Sequence, residues 1–180
     1  MPFPMRALRA VALVAIVLAA GSVPAPAQAD VRYRSAGSLE RALVARINAV
    51  RHARGLRTLV VRRPLVRAAS NHAANMAQHG YFSHSWSSGA SFSRWIRRYW
   101  PGCTGCSWSV GENLYWRHPD PTAAQVVTAW LNSPPHRHNL LQRDWRSVGV
   151  SAVLTLDPFG AYAGVPSAMI VAAEFGRRSA

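Results

Sequence analysis

Two stretches in the first half of the chain carry apolar residues at helical spacing. The first runs from Ser38, a residue suited to cap a helix, to Gly55, which favours a helix end. The second begins at Pro64, which suits the first turn of a helix, and stops at Gly80. The two apolar stripes consist of Leu39, Leu43, Ile47 and Val50, and of Leu65, Ala69, His72 and Met76. This pattern predicts two amphipathic helices, each with one buried face.

Two histidines, His72 and His79, lie on or near the second stripe. Helical spacing alone explains both positions. We therefore interpret them as packed or hydrogen-bonded side chains rather than as ligands.

The middle of the chain contains two further helical segments. Aromatic and apolar residues between Phe92 and Tyr99 indicate a short helix, which Pro101-Gly102 ends. Asp120-Pro121 joins a capping residue to a proline and predicts the start of another helix, which Pro134-Pro135 breaks. The buried face of this last helix is formed by Val126, Val127, Trp130 and Leu131.

The last third of the chain changes from helical spacing to β-branched and apolar runs. One run spans Val148 to Leu156, the other spans Ala168 to Phe175, and a loop rich in proline and glycine joins them. This arrangement predicts a terminal antiparallel pair of strands. Helices followed by such a pair indicate a layered α+β domain.

The N-terminal segment has the three parts of a secretory signal peptide. Arg6 and Arg9 precede an uncharged apolar run, residues 10–20, and a small-residue cleavage site that ends at Ala29. A membrane anchor is the competing interpretation, but the run is shorter than the about 20 apolar residues that a span requires. We expect cleavage after Ala29, with no membrane span left in the product. Residues 30–37 then form a short lead-in, and residues 38–177 form a single domain.

The charge of the chain is strongly positive. All 21 basic residues are arginines, and only seven residues are acidic. Removal of the leader leaves 19 arginines against seven acidic residues, a net charge of +12. Outside a cell this charge favours anionic partners, such as envelope polymers, acidic lipid headgroups or acidic glycans. Nucleic acid is excluded as a partner, because the chain is expected to be exported and has no recognition motif.

Cys103 and Cys106 are the only cysteines and lie three residues apart. In an exported chain a local disulfide that stiffens the loop before Gly111 is the favoured interpretation. A thioredoxin-like redox pair is disfavoured, because the surrounding residues lack the strand-to-helix context of that motif. A structural zinc site would need two further ligands, and the nearest histidines do not offer a tight spacing for them.

Three segments place polar residues among turn formers and aromatic residues. They are residues 81–85 with His84, residues 111–114 with Glu112, and residues 132–137 with His136. Two imidazoles and one carboxylate form a set that binds zinc with one position open. Because these residues are far apart in sequence, only the fold can bring them together, and spacing alone leaves scattered surface polar groups as the alternative.

The order of several motifs resembles a known family over about Ser38 to Gly176. The motifs are Gly-Tyr-Phe-Ser-His-Ser (80–85), Gly-Glu-Asn-Leu (111–114), Ala-Trp-Leu-Asn-Ser-Pro-Pro-His-Arg (129–137), Val-Gly-Val (148–150) and Glu-Phe-Gly (174–176). The chain is similar to the bacterial, SCP-like extracellular branch of the CAP superfamily (cysteine-rich secretory protein, antigen 5, pathogenesis-related 1). The resemblance implies a three-layer α-β-α sandwich with a small antiparallel sheet and a cleft that collects histidines and acidic residues.

The resemblance assigns three residues to this cleft. His84 matches the family histidine after the second helix, Glu112 the glutamate of Gly-Glu-Asn, and His136 the second histidine. Ser133 stands where animal and plant members have another glutamate, which implies a weaker affinity for a divalent cation such as zinc. Pro135 stands where bacterial relatives usually have glycine, so the entry angle of His136 is open. For the neighbouring His138 and Asn139 we expect exposure or helix capping rather than ligation.

The leading functional expectation is a secreted or cell-envelope protein, a monomer, that binds a lipid, glycan or protein ligand beside a cation-holding cleft. The alternative is a metal-assisted hydrolase acting on peptide or cell-wall material, in which His84 and His136 hold the metal and Glu112 is a general base or ligand. Against catalysis, the chain has no His-Glu-x-x-His run and no Gly-x-Ser-x-Gly elbow, and Ser133 is better interpreted as a helix-end residue. A purely electrostatic wall adhesin is a third interpretation.

Overall fold

The computed structural model describes residues 33–179, so the leader and its cleavage site lie outside the described residues. The helices are α1 (Gly37–His52), α2 (Arg63–His79), α3 (Phe92–Trp95), α4 (Ala123–Asn132) and α5 (Pro134–Leu141). The strands are β1 (Tyr33–Ser35), β2 (Val60–Val61), β3 (Ser107–Arg117), β4 (Ser147–Leu156) and β5 (Ser167–Ser179). Single 3-10 turns at Ile96–Arg98 and Gly160–Tyr162 complete the described elements.

The strands form one sheet in the order β1-β4-β5-β3, with antiparallel neighbours throughout this path. Strand β2 pairs in parallel with the beginning of β4. The predicted terminal pair is therefore confirmed as β4 and β5, in which Val150 lies opposite Ala173. Strand β3 lies at one end of this path.

Alternation along β5 divides its side chains between two apolar layers. Met169, Val171, Ala173 and Phe175 pack in one core with residues of α1, α4 and α5. Ala168, Ile170 and Ala172 face the other way and pack with α2, whose N-terminal half also contacts the aromatic residues of α3. The three-layer α-β-α sandwich implied by the resemblance is thus confirmed.

Helix α2 approaches the sheet unusually closely at Gly149. A Cβ atom at this position would overlap the backbone of Leu65, so only glycine fits between the strand and the helix. The other end of α2 is closed by Gly80, whose φ of 62° is the left-handed conformation that favours glycine. These two glycines fix the position of the helix that carries His72.

Several element ends differ from the sequence-based expectations. Helix α1 begins at Gly37 and has no side-chain cap, so Ser38 is not its capping residue. Helix α4 begins after Thr122, whose side chain forms a capping box with Gln125, rather than at Asp120-Pro121. Pro134 starts α5 instead of only ending α4, since a proline suits the first helical positions.

The disulfide between Cys103 and Cys106 is present, as expected, in the loop before β3. Among the helices of residues 33–179, none has both the length and the apolar character needed to cross a bilayer.

Candidate functional site

Two glutamates lie directly opposite each other on neighbouring strands. Glu112 of β3 pairs with Glu174 of β5, and both side chains point to the α2 face. Glu174 shares that face because it has the same alternation phase as Ile170 and Ala172. Glu174 is fully buried, and Glu112 is 7% exposed. Two carboxyl groups are therefore enclosed side by side in an otherwise apolar layer.

Two histidines bind the two oxygens of Glu112. The Nδ1–H of His72, on α2, donates to Oε2 at 2.5 Å, and the Nδ1–H of His84, in the loop after α2, donates to Oε1 at 2.6 Å. The His72 side chain is fully buried, whereas the His84 side chain is 55% exposed. One oxygen of Glu112 is therefore bonded to a buried histidine, and the other to a histidine that solvent can reach.

Aromatic rings enclose the buried histidine. The His72 ring stacks on Trp86 with a centroid separation of 5.7 Å and meets Trp95 at 4.5 Å. The carbonyl oxygen of His84 accepts a hydrogen bond from the Trp95 indole at 3.1 Å. The aromatic segment that the sequence predicted as a helix therefore supports both histidines that contact Glu112. The His72 Nε2 atom is buried and has no hydrogen-bond partner within residues 33–179.

The two carboxyl groups have opposite protonation tendencies. Burial, followed by the repulsion of the neighbouring Glu112 carboxylate, raises the pKa of Glu174 well above its usual value. Burial also raises the pKa of Glu112, but the hydrogen bonds from His72 and His84 outweigh it, and the net pKa lies below the usual value. The site therefore favours the ionised form of Glu112 and the neutral form of Glu174. Neither oxygen of Glu174 receives a hydrogen bond from a donor in the described chain, and its own proton is available to Glu112.

The two predicted histidines differ in electrostatic setting. The hydrogen bond to Glu112 raises the pKa of His84, against the smaller opposing effect of burial. Burial and the nearby His84 lower the pKa of His136. His84 is therefore the more readily charged of the two, and His136 stays neutral at neutral pH, which is the form that can ligate a metal.

His136 enters the site from the opposite helical layer. It is the third residue of α5, its Nδ1 is hydrogen-bonded to Ser133 Oγ at 2.8 Å, and its carbonyl accepts from Asn113 at 3.0 Å. Pro135 is the second residue of α5, where its fixed φ suits a helix. Ser133 lies at the junction of α4 and α5, which confirms the helix-end interpretation of this residue. The structure thus joins His84 to Glu112 directly, and places His136 on a separate hydrogen bond.

The neighbours of His136 have other roles. His138 is exposed on α5. Asn139 donates to the Asn113 side chain at 3.0 Å and ties α5 to β3. His79 is also exposed and is hydrogen-bonded to Asn75, one turn earlier in α2.

Sequence reasoning missed two members of the buried cluster. His72 was interpreted as a packed or hydrogen-bonded residue, which its bond to Glu112 bears out, but its partner could not be named. Glu174 was noticed only as part of a motif. A usable signal was present, because Glu174 is the single charged residue in the otherwise apolar run of β5 up to Phe175.

The chemistry of this cluster fits a divalent cation. Ligand atoms of His72, Glu112 and Glu174 all lie within 4.8 Å of one another. An imidazole and two carboxylates are among the ligands that zinc uses, and both oxygens of Glu174 lack a hydrogen-bond partner in the described residues. Since a ligating carboxylate must be ionised, a cation here would replace the proton of Glu174. His84, bound to the same Glu112, is the member that solvent can reach.

The sandwich and its histidine–glutamate cluster define the class of this domain, and comparison with known proteins supplies the family. A model of the Cysteine-rich secretory protein family, CAP, matches residues 44–157. This match extends over more than half of the chain, so the chain belongs to the CAP family.

The chain is also similar to a curated bacterial protein in sequence and to two solved structures in fold. YkwD, an uncharacterised protein of Bacillus subtilis (strain 168), is 30% identical over 120 residues, which make up 66% of this chain but only 44% of YkwD. The fold is similar to that of an outer surface protein from Borrelia burgdorferi, with a TM-score of 0.67 and 21% identity over 83% of this chain and 99% of that one. It is also similar to an extracellular SCP-domain protein from Bacillus anthracis, with a TM-score of 0.61 and 23% identity over 78% of this chain and 41% of that one.

Proposed function

We propose that this chain is an exported CAP-domain protein that binds a lipid, glycan or protein ligand beside a cleft in which Glu112 helps to hold a divalent cation such as zinc. The observation that carries the proposal is the position of Glu112, which bonds two histidines and lies against a carboxyl group with no hydrogen-bond donor in the described chain. Burying three polar side chains at one point of an apolar layer costs free energy, so packing alone does not account for them.

The accessible ligands of the site are His84 and His136. His84 is half exposed, and its Nδ1 is occupied by Glu112, which leaves Nε2 as its free ligand atom. His136 likewise has Nδ1 engaged, by Ser133, and Nε2 free of that bond. Each histidine is thus oriented through one ring nitrogen, as is usual for metal ligands. Glu112 supplies a negative charge in contact with His84.

The extracellular setting of the proposal comes from the leader and from the relatives. The expected product begins at Asp30, and residues 38–177 form its single domain. The B. anthracis neighbour is described as an extracellular protein, and the B. burgdorferi neighbour as an outer surface protein. An oxidising compartment also suits the Cys103–Cys106 disulfide.

The deciding experiment measures zinc content and zinc affinity of the chain beginning at Asp30, beside three variants. We expect His84→Ala and Glu112→Gln to lose at least about tenfold in affinity, because each removes a ligand or its negative charge. His52→Ala, an exposed histidine on α1 in the opposite layer, is the matched control and should bind as the unchanged protein does. If His84→Ala lowers the melting temperature while zinc affects neither protein, the cluster is only a structural hydrogen-bond network and the metal proposal is wrong.

A further inference from the structure

A groove with three arginines lies at the end of the sheet where β4 begins and β5 finishes. Its volume is about 450 Å³. The groove is lined by Arg62, Pro64, Trp100, Arg146, Ser147 and Arg178. None of these residues belongs to the Glu112 cluster, and the groove is therefore a second surface of the domain.

The arginines of the groove are held by local contacts. The guanidinium of Arg178 stacks over the ring of Trp100, with Cζ 3.8 Å from the ring centroid. Arg146 donates through Nη1 to the carbonyl oxygens of Arg143 and Trp145, at 2.9 and 3.0 Å. These contacts restrict the two side chains before any ligand arrives, which lowers the entropy that binding costs.

The charge of the groove is not neutralised within the described residues. Within residues 33–179 one arginine–carboxylate pair forms, between Arg177 and Asp144 at 3.1 Å. The groove residues Arg62, Arg146 and Arg178 form no pair with a carboxylate of the described residues. Arg62 and Arg178 are exposed. Three positive charges that share one concave surface repel each other, and an anion that enters the groove relieves this repulsion.

The arrangement of the donors favours phosphate over carboxylate. The three guanidinium groups come from three separate positions of the chain, before α2, before β4 and at the end of β5. A planar carboxylate presents two oxygens to a single fork, whereas a tetrahedral phosphate presents its oxygens to donors from several sides. The exposed Arg63 and Arg143, next to the groove in sequence, continue the positive surface beyond a single bound group.

We propose that this groove binds a phosphate group carried on an extended anionic polymer of the cell envelope. The inference goes beyond the cation-binding cleft, since it concerns a different surface and needs no metal. The binding is electrostatic and directional, with the arginine N–H groups donating to the phosphate oxygens. Affinity should fall as salt rises, because each neutralised phosphate releases counterions.

The test is calorimetric titration of the chain beginning at Asp30 with short linear polyphosphate, in the presence of a metal chelator. The combined variant Arg62→Gln, Arg146→Gln, Arg178→Gln should lose at least about tenfold in affinity. The control variant Arg41→Gln, Arg46→Gln, Arg117→Gln changes net charge by the same amount at exposed positions outside the groove, and should lose much less. The double variant Arg62→Gln, Arg178→Gln leaves the partly buried Arg146 unchanged and should also bind polyphosphate less tightly than the unchanged protein.

Three further probes identify the chemistry. Inorganic phosphate should compete weakly, and polyglutamate of matched charge should bind less tightly than polyphosphate. Phosphatidylglycerol vesicles present single phosphate headgroups rather than a phosphate chain, so their binding should depend less on the three groove arginines than polyphosphate binding does. Equal losses in the groove and control variants would mean that only overall charge matters, and groove-dependent binding of vesicles but not of polyphosphate would assign the surface to a membrane. Either result overturns the proposal.

Discussion

No basic side chain forms an ion pair with Glu174 in the described residues, whereas hydrogen bonds from His72 and His84 favour the ionised form of its neighbour Glu112. Removing Glu174 from water and placing it beside a carboxylate both favour its neutral form. The residue is therefore stable in the fold as an acid and costly as an anion. Its titration couples directly to folding, with His72, His84 and Glu112 as the ionisable groups around it.

Glu174→Gln should stabilise the domain at pH values above the ordinary pKa of a glutamate side chain. The pKa of Glu174 in the folded state is raised above its ordinary value of 4.5. The stability of the domain that depends on neutral Glu174 is therefore complete below about pH 4.5, and it is lost as the pH rises towards the folded-state pKa. Glutamine stays neutral and avoids this loss. The free energy of unfolding, measured in urea at about pH 5 and about pH 8, should show an advantage of the variant that grows with pH. The exposed Asp120→Asn is the control, and a variant that is less stable at both pH values would contradict the assignment.

His84→Ala should have the opposite pH dependence. The hydrogen bond to Glu112 raises the folded-state pKa of His84 above 6.5, so its stabilising charge pair is complete below that value and fades as pH rises through the raised pKa. The variant should lose more stability at about pH 5.5 than at about pH 8.5. Because the side chain is half exposed, solvent screening keeps the loss small. An equal loss at both pH values, in metal-free buffer, would show that the imidazole acts through packing alone.

The site residues divide into those that the resemblance assigns to the cleft and those that only the sheet register brings to it. His84 and Glu112 stand in recognisable motifs, and the structure joins them at 2.6 Å. Glu174 enters because β3 and β5 pair in the register that sets it opposite Glu112, which no spacing along the chain encodes. The ligation of a metal by His84, Glu112 and His136 stays a prediction.

At the scale of elements, the helices with clear punctuation were predictable and β3 was not. Helix α2 begins and ends within one residue of the expected limits, Pro64 and Gly80, because a proline and a left-handed glycine mark its ends. Strand β3 contains Gly111, Glu112 and Asn113, residues that are poor strand formers, and it exists because eleven of its residues pair with β5. No strand was therefore predicted at the Glu112 segment, which lies in the middle of β3.

Trp130→Ala should strongly destabilise the domain, because this side chain joins α4 to the sheet. Trp130 is 1% exposed, lies in the core with α1 and α5, and donates from its indole to the Leu114 carbonyl at 2.9 Å. Truncation leaves a cavity and an unpaired carbonyl, and should cost about 3–5 kcal/mol. Urea unfolding measures the loss, with the exposed Leu156→Ala as control. An unchanged melting temperature would mean that the face of α4 is assigned wrongly.

At the scale of the whole molecule, periodicity predicted the class of fold and the motifs predicted its layers. The helical stripes and the terminal apolar runs indicate α+β, but they do not say which face of the sheet each helix covers. That information comes from non-local packing, such as the contact of Gly149 with Leu65, in which residues 84 positions apart must fit together. The resemblance to the CAP superfamily supplied the three layers before the packing could be derived.

The melting temperature of the whole domain should rise with salt. Three of the 21 arginines and one of the seven acidic residues precede Tyr33, so the described domain carries 18 arginines against six acidic residues. Folding concentrates these charges, and their mutual repulsion destabilises the compact state. At 0.1 M, salt screens repulsion between exposed charges that are more than about 10 Å apart. Salt also weakens attractive ion pairs, but the described residues form one arginine–carboxylate pair, Arg177–Asp144, so this opposing effect is small.

Thermal unfolding of the chain beginning at Asp30, followed by circular dichroism, should therefore shift upward by about 2 °C or more between about 20 mM and about 300 mM sodium chloride. The variant with Arg41→Gln, Arg46→Gln and Arg117→Gln carries three fewer positive charges at exposed positions and should respond less steeply. Sodium chloride is used because sulfate would also strengthen apolar burial. A melting temperature that falls with salt would show that attractive pairs outweigh the repulsion, in which case the arginines are neutralised within the fold and are not available to an anionic partner.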